Sequence, residues 1–275
     1  MNLIESYDFL TPNELSKKKH SRILSLKEIL SKKIYADPIN KEILEDDLRI
    51  NKFCFDLFKG SAILFPRSIL DNMINWETPL KYYSEPLIQY HLLSQIKGKS
   101  DINAPSYSRA ANKHFFRIKK FCENLDQGLL LDVGCDRPSL SSLFYPEGID
   151  YHGIDPSFSN DEFKTIGMAE FLPFVDLSFD YVSFNTSLDH ILDYHTAIQE
   201  SYRVLKKKGN LIIASYVWKD KATLLKDNVH FHHFREYEIF GALEKYFSIE
   251  KSIRYEDPKG ETHRYGIYIM AKKKL

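Results

Sequence analysis

From residue 129 to the end of the chain, short apolar runs alternate with longer stretches whose apolar residues recur three or four positions apart. The runs 129–133, 151–154, 165–168, 179–184 and 211–217 read as buried strands, and 248–255 and 265–271 as two more. Tyr194, Ala197, Ile198, Tyr202 and Leu205 form one stripe of a helix that Gly209 is expected to stop, and a last helix is expected over about 236–246. Strands alternating with helices predict an α/β fold: a Rossmann-like, seven-stranded, mostly parallel sheet with helices on both faces.

Upstream the texture differs. Thr11-Pro12-Asn13-Glu14 has the form of a capping box with proline at the first helical position, and Leu15, Ile23, Leu26, Ile29 and Leu30 follow at roughly helical spacing. From Asp37 to Pro86, short apolar stretches are punctuated by Gly60, Pro66, Pro79 and Pro86, which suits a small irregular module. A further helix, about 108–122, carries Phe115, Phe116, Ile118 and Phe121. The expected division is an N-terminal helical and irregular accessory region, 1–105, ahead of a larger domain, 106–275.

Composition narrows the classes. Of 275 residues, 43% are hydrophobic and 14% aromatic, with 38 basic against 38 acidic side chains, so the chain has a core to bury and little self-repulsion. A pI near 7.1 supplies no excess of cations, which makes a nucleic-acid partner an unfavoured expectation. No apolar run approaches the roughly 18 residues of a membrane span, and the first residues lack the basic flank and apolar core of a signal peptide. A cytoplasmic protein without a membrane span is therefore expected. Cys54, Cys122 and Cys135 form neither a disulfide framework nor a zinc-spaced pair.

Chemistry concentrates where strands end. The run 129–133 closes on Asp132, Val133 and a Gly134 turn, and open α/β sheets bind ligands at the carboxyl ends of strands where the topology switches. The next strand closes on Asp155, at a spacing that suits a carboxylate accepting hydrogen bonds from both ribose hydroxyls. A nicotinamide-binding turn would need G-x-G-x-x-G, yet the next glycine after Gly134 is Gly148.

Five pieces in order, Leu131-Asp132-Val133-Gly134-Cys135, Gly153-Ile154-Asp155, Gly167 to Phe174, Ser178 to Val182, and Arg203-Val204-Leu205-Lys206 with Gly209-Asn210-Leu211, resemble a class I S-adenosylmethionine-dependent methyltransferase. The subgroup they resemble includes the quinone-biosynthesis methyltransferases. The resemblance implies S-adenosylmethionine as cofactor, held by Asp132, Gly134, Arg137, Asp155, Pro156, Met168, Ala169, Glu170 and Asn185. The chain departs from that pattern at the glycine-rich turn, where Asp136 and Pro138 replace glycines, and at Met168, where an aspartate is usual. Arg137 is the candidate partner of the cofactor carboxylate.

For methyl transfer to a hydroxyl, the protein positions the acceptor and takes its proton. The resemblance places Asn185, Thr186, Ser187, Asp189 and His190 near the methyl group. Imidazole suits a base at neutral pH, so His190 and His233 are the candidate catalytic residues, and Tyr107, Asp189, His230 and His232 the candidate substrate contacts. His230-Phe231-His232-His233 also invites a metal reading, but the expectation is a lid or pocket wall and no metal. The expected activity is methyl transfer to a hydroxyl of a small molecule or glycan precursor; the rival is a non-catalytic relative that binds a partner or another nucleotide.

Overall fold

The computed structural model describes residues 19–45, 47–50, 53–54, 57–58, 61–66, 109–156, 164–219, 230–257 and 263–275. In chain order its strands are β1 (Arg22–Ile23), β2 (Arg49–Ile50), β3 (Phe53–Cys54), β4 (Leu57–Phe58), β5 (Ser61–Ile63), β6 (Gly128–Val133), β7 (Ile149–Asp155), β8 (Lys164–Ile166), β9 (Phe179–Asn185), β10 (Leu205–Trp218), β11 (Phe247–Glu256) and β12 (Arg264–Lys273). The helices are α1 (Leu26–Ser31), α2 (Arg109–Cys122), α3 (Pro138–Ser141), α4 (Tyr194–Val204) and α5 (Glu236–Glu244).

All seven expected strands lie in one sheet ordered β11-β12-β10-β9-β6-β7-β8-β5-β4. Pairings from β10 through β8 are parallel, while β12 runs antiparallel to both β10 and β11. The chain winds outward from β6 to β8 and then crosses back to β9, so the switch point lies between β6 and β9.

The upstream segment is woven into this sheet. β5 pairs parallel with β8, and β1 pairs parallel with the start of β7. Lys41 Nζ donates to Glu200 at 2.7 Å and to the Leu172 carbonyl, while Arg203 donates to the carbonyls of Leu172 and Phe174. The Arg203 motif thus clamps α4 to the loop before β9.

Two sequence expectations are corrected. The opening helix does not include Ile23, which extends beside β7. The helix begins only after Ser25, whose side chain accepts from the Glu28 N–H while Glu28 accepts from the Ser25 N–H. That capping box competes successfully with the apolar spacing upstream. Residues 1–18, which carry the Thr11–Glu14 signal, lie outside the described residues. Second, α4 stops at Val204 rather than Gly209, because Leu205 already pairs with Phe179. Gly209 instead permits a close approach within β10: a Cβ there would come to 2.9 Å from the Asp180 carbonyl.

Alternation along the strands sorts the core onto two faces. Leu129, Leu131, Val133, Val182 and Phe184 pack with Ile29 of α1, Ile198 of α4 and Leu243 of α5. Leu130, Tyr151, Tyr181, Ile212 and Tyr268 pack with Ile118, Phe121 and Cys122 of α2. An open depression of about 610 Å³ lined by Lys32, Gln127, Asp150, Asp180 and Lys206 lies at the amino ends of the strands. The residues considered next sit at the opposite end.

Candidate active site

The turn after β6 is built by its neighbours. Gly134 has φ +77°, and a Cβ there would meet the Ser187 side chain at 2.3 Å, so the ends of β6 and β9 touch. Asp136, at a position where the resembled family has glycine, has φ +47°. Aspartate tolerates this left-handed conformation better than most residues, so the backbone path of a glycine turn is kept. Pro138 occupies the first position of α3, where a missing N–H costs no helical bond. Both departures seen in the sequence are thus accommodated by the local backbone.

That turn is latched to the end of β7. The Asp136 N–H donates to Asp155 Oδ2 at 2.9 Å, and Lys164 Nζ donates to the Asp136 carbonyl at 2.9 Å. The Lys164 side chain is fully buried, with Nζ 3.8 Å from Asp155 Oδ1. Pro156 follows at the part-exposed rim. Beyond β8, the Gly167 N–H donates to the Asp155 carbonyl, and Met168 and Ala169 are buried beside it. Arg137 stays part-exposed, its Nε 3.6 Å from Asp136 Oδ2.

Asp132 faces the core. Strand alternation turns it toward α2 together with Leu130, where it is 1% exposed and accepts from the Tyr151 hydroxyl at 2.8 Å and the Tyr145 hydroxyl at 3.3 Å. Burial pushes its carboxyl up to about 7. It braces the strand from within the core. Glu170 is likewise turned inward: it accepts from the Asp193 N–H at the start of α4, and burial raises its pKa.

Asn185, at the end of β9, holds its Oδ1 2.8 Å from His114 Nε2, and His114 Nδ1 lies 2.6 Å from the Tyr268 hydroxyl. Burial lowers the His114 pKa to about 4, so the ring is neutral at pH 7. It donates to Asn185 and accepts from Tyr268. The sequence reading passed over both His114 and Lys164. The available signal was a polar residue on an apolar stripe, His114 with Ile118 and Cys122, and a lysine heading a buried strand.

Past β9, residues 188–190 form a single tight turn that buries Asp189 and presents His190. The N–H groups of Phe231 and His232 both donate to the Asp189 carbonyl, which brings the histidine segment onto this turn. His230 Nε2 lies 3.7 Å from Asp189 Oδ2, His190 Nε2 lies 4.0 Å from Asp189 Oδ1, and the two rings are 4.5 Å apart. Burial raises the Asp189 pKa, an effect opposed by the neighbouring histidines. His233 stands edge-on to Trp218, its ring 6.1 Å from that of His230. His232 is set apart: its Nε2 is bonded to the carbonyls of Ile191 and Leu192, so it staples the segment. Tyr107 lies outside the described residues.

With this geometry in view, a family model described as a methyltransferase domain matches residues 107–251. The chain belongs to this methyltransferase family. A 77-residue stretch is 40% identical to the ubiquinone/menaquinone biosynthesis C-methyltransferase UbiE of Rickettsia bellii, covering 28% of this chain and 30% of that protein. The chain thus spans about a third of the length of that curated relative. Among solved structures, the 1,6-didemethyltoxoflavin-N1-methyltransferase of Burkholderia thailandensis, solved with its substrate and S-adenosylhomocysteine, superposes with a TM-score of 0.50 at 17% identity, covering 59% of this chain and 79% of that one. The [4+2]-cyclase SpnF does so with a TM-score of 0.50 at 17% identity, covering 69% and 93%. At such identities the likeness concerns the fold alone, and a methyltransferase and a cyclase share it; the chemistry must be argued from the site.

Proposed function

We propose that this methyltransferase-family chain is a cytoplasmic enzyme that transfers a methyl group from S-adenosylmethionine to a hydroxyl oxygen of a small molecule, glycan precursors included. The observation that carries this reading is the Asp189–His190–His230 cluster, set just beyond β9 on the turn that touches Gly134. The cofactor supplies an electrophilic methyl carbon on a sulfonium. The residues present suit it: Asp155 closes β7 with its carboxyl against the turn after β6, and Asp136 takes a left-handed conformation that glycine also adopts.

In this reading Asp155 accepts from the ribose hydroxyls, Met168 and Ala169 flank the adenine, and Arg137 pairs with the cofactor carboxylate. Asn185, oriented by His114, borders the methyl end. His190 holds the acceptor oxygen, and His233, farther out, carries its proton to solvent. Proximity supplies much of the rate, since an in-line displacement chiefly needs the reacting atoms aligned.

A second reading, favoured by the likeness to a C-methyltransferase, is that the methyl group goes to a carbon activated by a deprotonated neighbouring hydroxyl. The same cluster serves both. Calorimetric titration with S-adenosylhomocysteine tests the shared premise: one-to-one binding, weakened at least tenfold in Asp155→Ala, is expected. Absence of binding at millimolar ligand would instead favour a non-catalytic partner-binding relative. Proton NMR of a methylated product then separates oxygen from carbon acceptors.

A further inference from the structure

Asp189, His190 and His230 place one carboxylate oxygen and two imidazole nitrogens within 4.8 Å of one another. Two imidazoles and a carboxylate are a common donor set for a divalent first-row ion that keeps a coordination position open. Ligand atoms about 2.1 Å from a tetrahedral ion stand about 3.4 Å apart, so this group, with His230 3.7 Å from Oδ2, His190 4.0 Å from Oδ1 and its three donor atoms within 4.8 Å of one another, closes on an ion by drawing together. The Asp189 side chain is 7% exposed, and among the described residues its Oδ1 accepts no hydrogen bond. Such a buried carboxylate oxygen is costly to leave without compensation; it faces His190, while Oδ2 faces His230. His232, bonded to two carbonyls, is held out of the group, so the segment contributes His230 by its backbone path rather than by a choice among equivalent rings.

We propose that Asp189, His190 and His230 bind a divalent transition-metal ion of the Zn2+ class, with its open position toward the acceptor. The binding of the ion stands on this geometry alone. Its use rests on the methyl-transfer reading above, with one change: His190 then meets the acceptor only through the ion, which acts as a Lewis acid for the acceptor hydroxyl. The hydroxyl proton passes to His233. The oxygen lone pair forms the new O–CH3 bond as the S–CH3 bond breaks, its electron pair staying on sulfur to leave neutral S-adenosylhomocysteine. This replaces the metal-free pocket expected from the sequence, where no carboxylate stood at a familiar spacing from the histidines.

The test is titration of the chelator-treated full chain with Co2+, followed by visible absorption and calorimetry. One Co2+ per chain with the intense d–d bands of a low-coordinate site is expected, displaced by Zn2+. Binding should weaken about a hundredfold or more in His230→Ala and in Asp189→Asn, and stay unchanged in His195→Ala, which removes an exposed histidine on α4. Circular dichroism and S-adenosylhomocysteine binding report whether each variant is folded. Octahedral, weak spectra, or equal affinity in a folded His230→Ala chain, would overturn the metal site. S-adenosylhomocysteine binding without Co2+ binding removes the ion and leaves methyl transfer standing; the converse removes methyl transfer and leaves the ion.

Discussion

The two faces of the central sheet are built from the same strands but differ in kind. The face under α1, α4 and α5 is packed mainly by aliphatic and aromatic side chains, with the polar group Tyr35–His152–Thr165 near its edge. The face under α2 buries Asp132 among Tyr145, Tyr151 and Ser183, and carries the Asn185–His114–Tyr268 chain. The first face holds the fold by area and close packing. The second spends part of its burial on hydrogen bonds that fix the ends of β6 and β9.

The largest expected contrast is in packing. Phe184→Ala, on the apolar face, should cost about 3–5 kcal/mol by the cavity it leaves, whereas Tyr145→Phe, on the polar face, should cost about 1–2 kcal/mol by leaving partners unmade. Urea denaturation measures both; equal losses would erase the distinction.

Next in size is a pH effect. Asp132 titrates near 7 in the folded chain and near 3.8 unfolded, so the native state holds a proton that the unfolded state has lost between those values. Its contribution therefore declines as pH rises from about 4 to about 7, and Asp132→Asn should gain stability relative to the parent over that interval. His152 titrates in the opposite sense. Burial lowers its pKa to about 3, so unfolding takes up a proton below about 6.5 and the parent loses stability on acidification. His152→Gln should lose less between pH 6.5 and 4.5. Melting temperatures of parent and variants across that range give the sign of each slope, and parallel curves would refute the assignments.

The smallest effect concerns the latched turn. Asp136→Gly should change stability by no more than about 1 kcal/mol, because glycine takes the left-handed conformation at little steric cost. Asp136→Val should cost about 1–2 kcal/mol there. Thermal denaturation of both separates backbone strain from any part its carboxylate plays.

Much of the fold was legible because its signals are local. The apolar runs, the stripe of α4 and the acidic ends of β6 and β7 depend on periods and turn residues that a single segment carries. The failures came from distant contacts: helical spacing at Ile23 lost to pairing with β7, and Gly209 looked like a stop because a close strand approach has no sequence mark. Asp155 and the Gly134 turn could be located in advance. Their state could not, since the fully buried Lys164 and the Asp136 amide reach Asp155 only across the turn.

By itself, the sequence determined that this is an α/β chain with acidic and glycine turns at the carboxyl ends of β6 and β7, because alternation and turn chemistry are written over a few residues. Tertiary structure alone decided that Asp132 belongs to the core, that His114 orients Asn185, and that His230 rather than His232 meets Asp189 and His190. Those outcomes depend on which face a strand turns inward and on where a distant segment is hydrogen-bonded, and neither is encoded at one place in the chain.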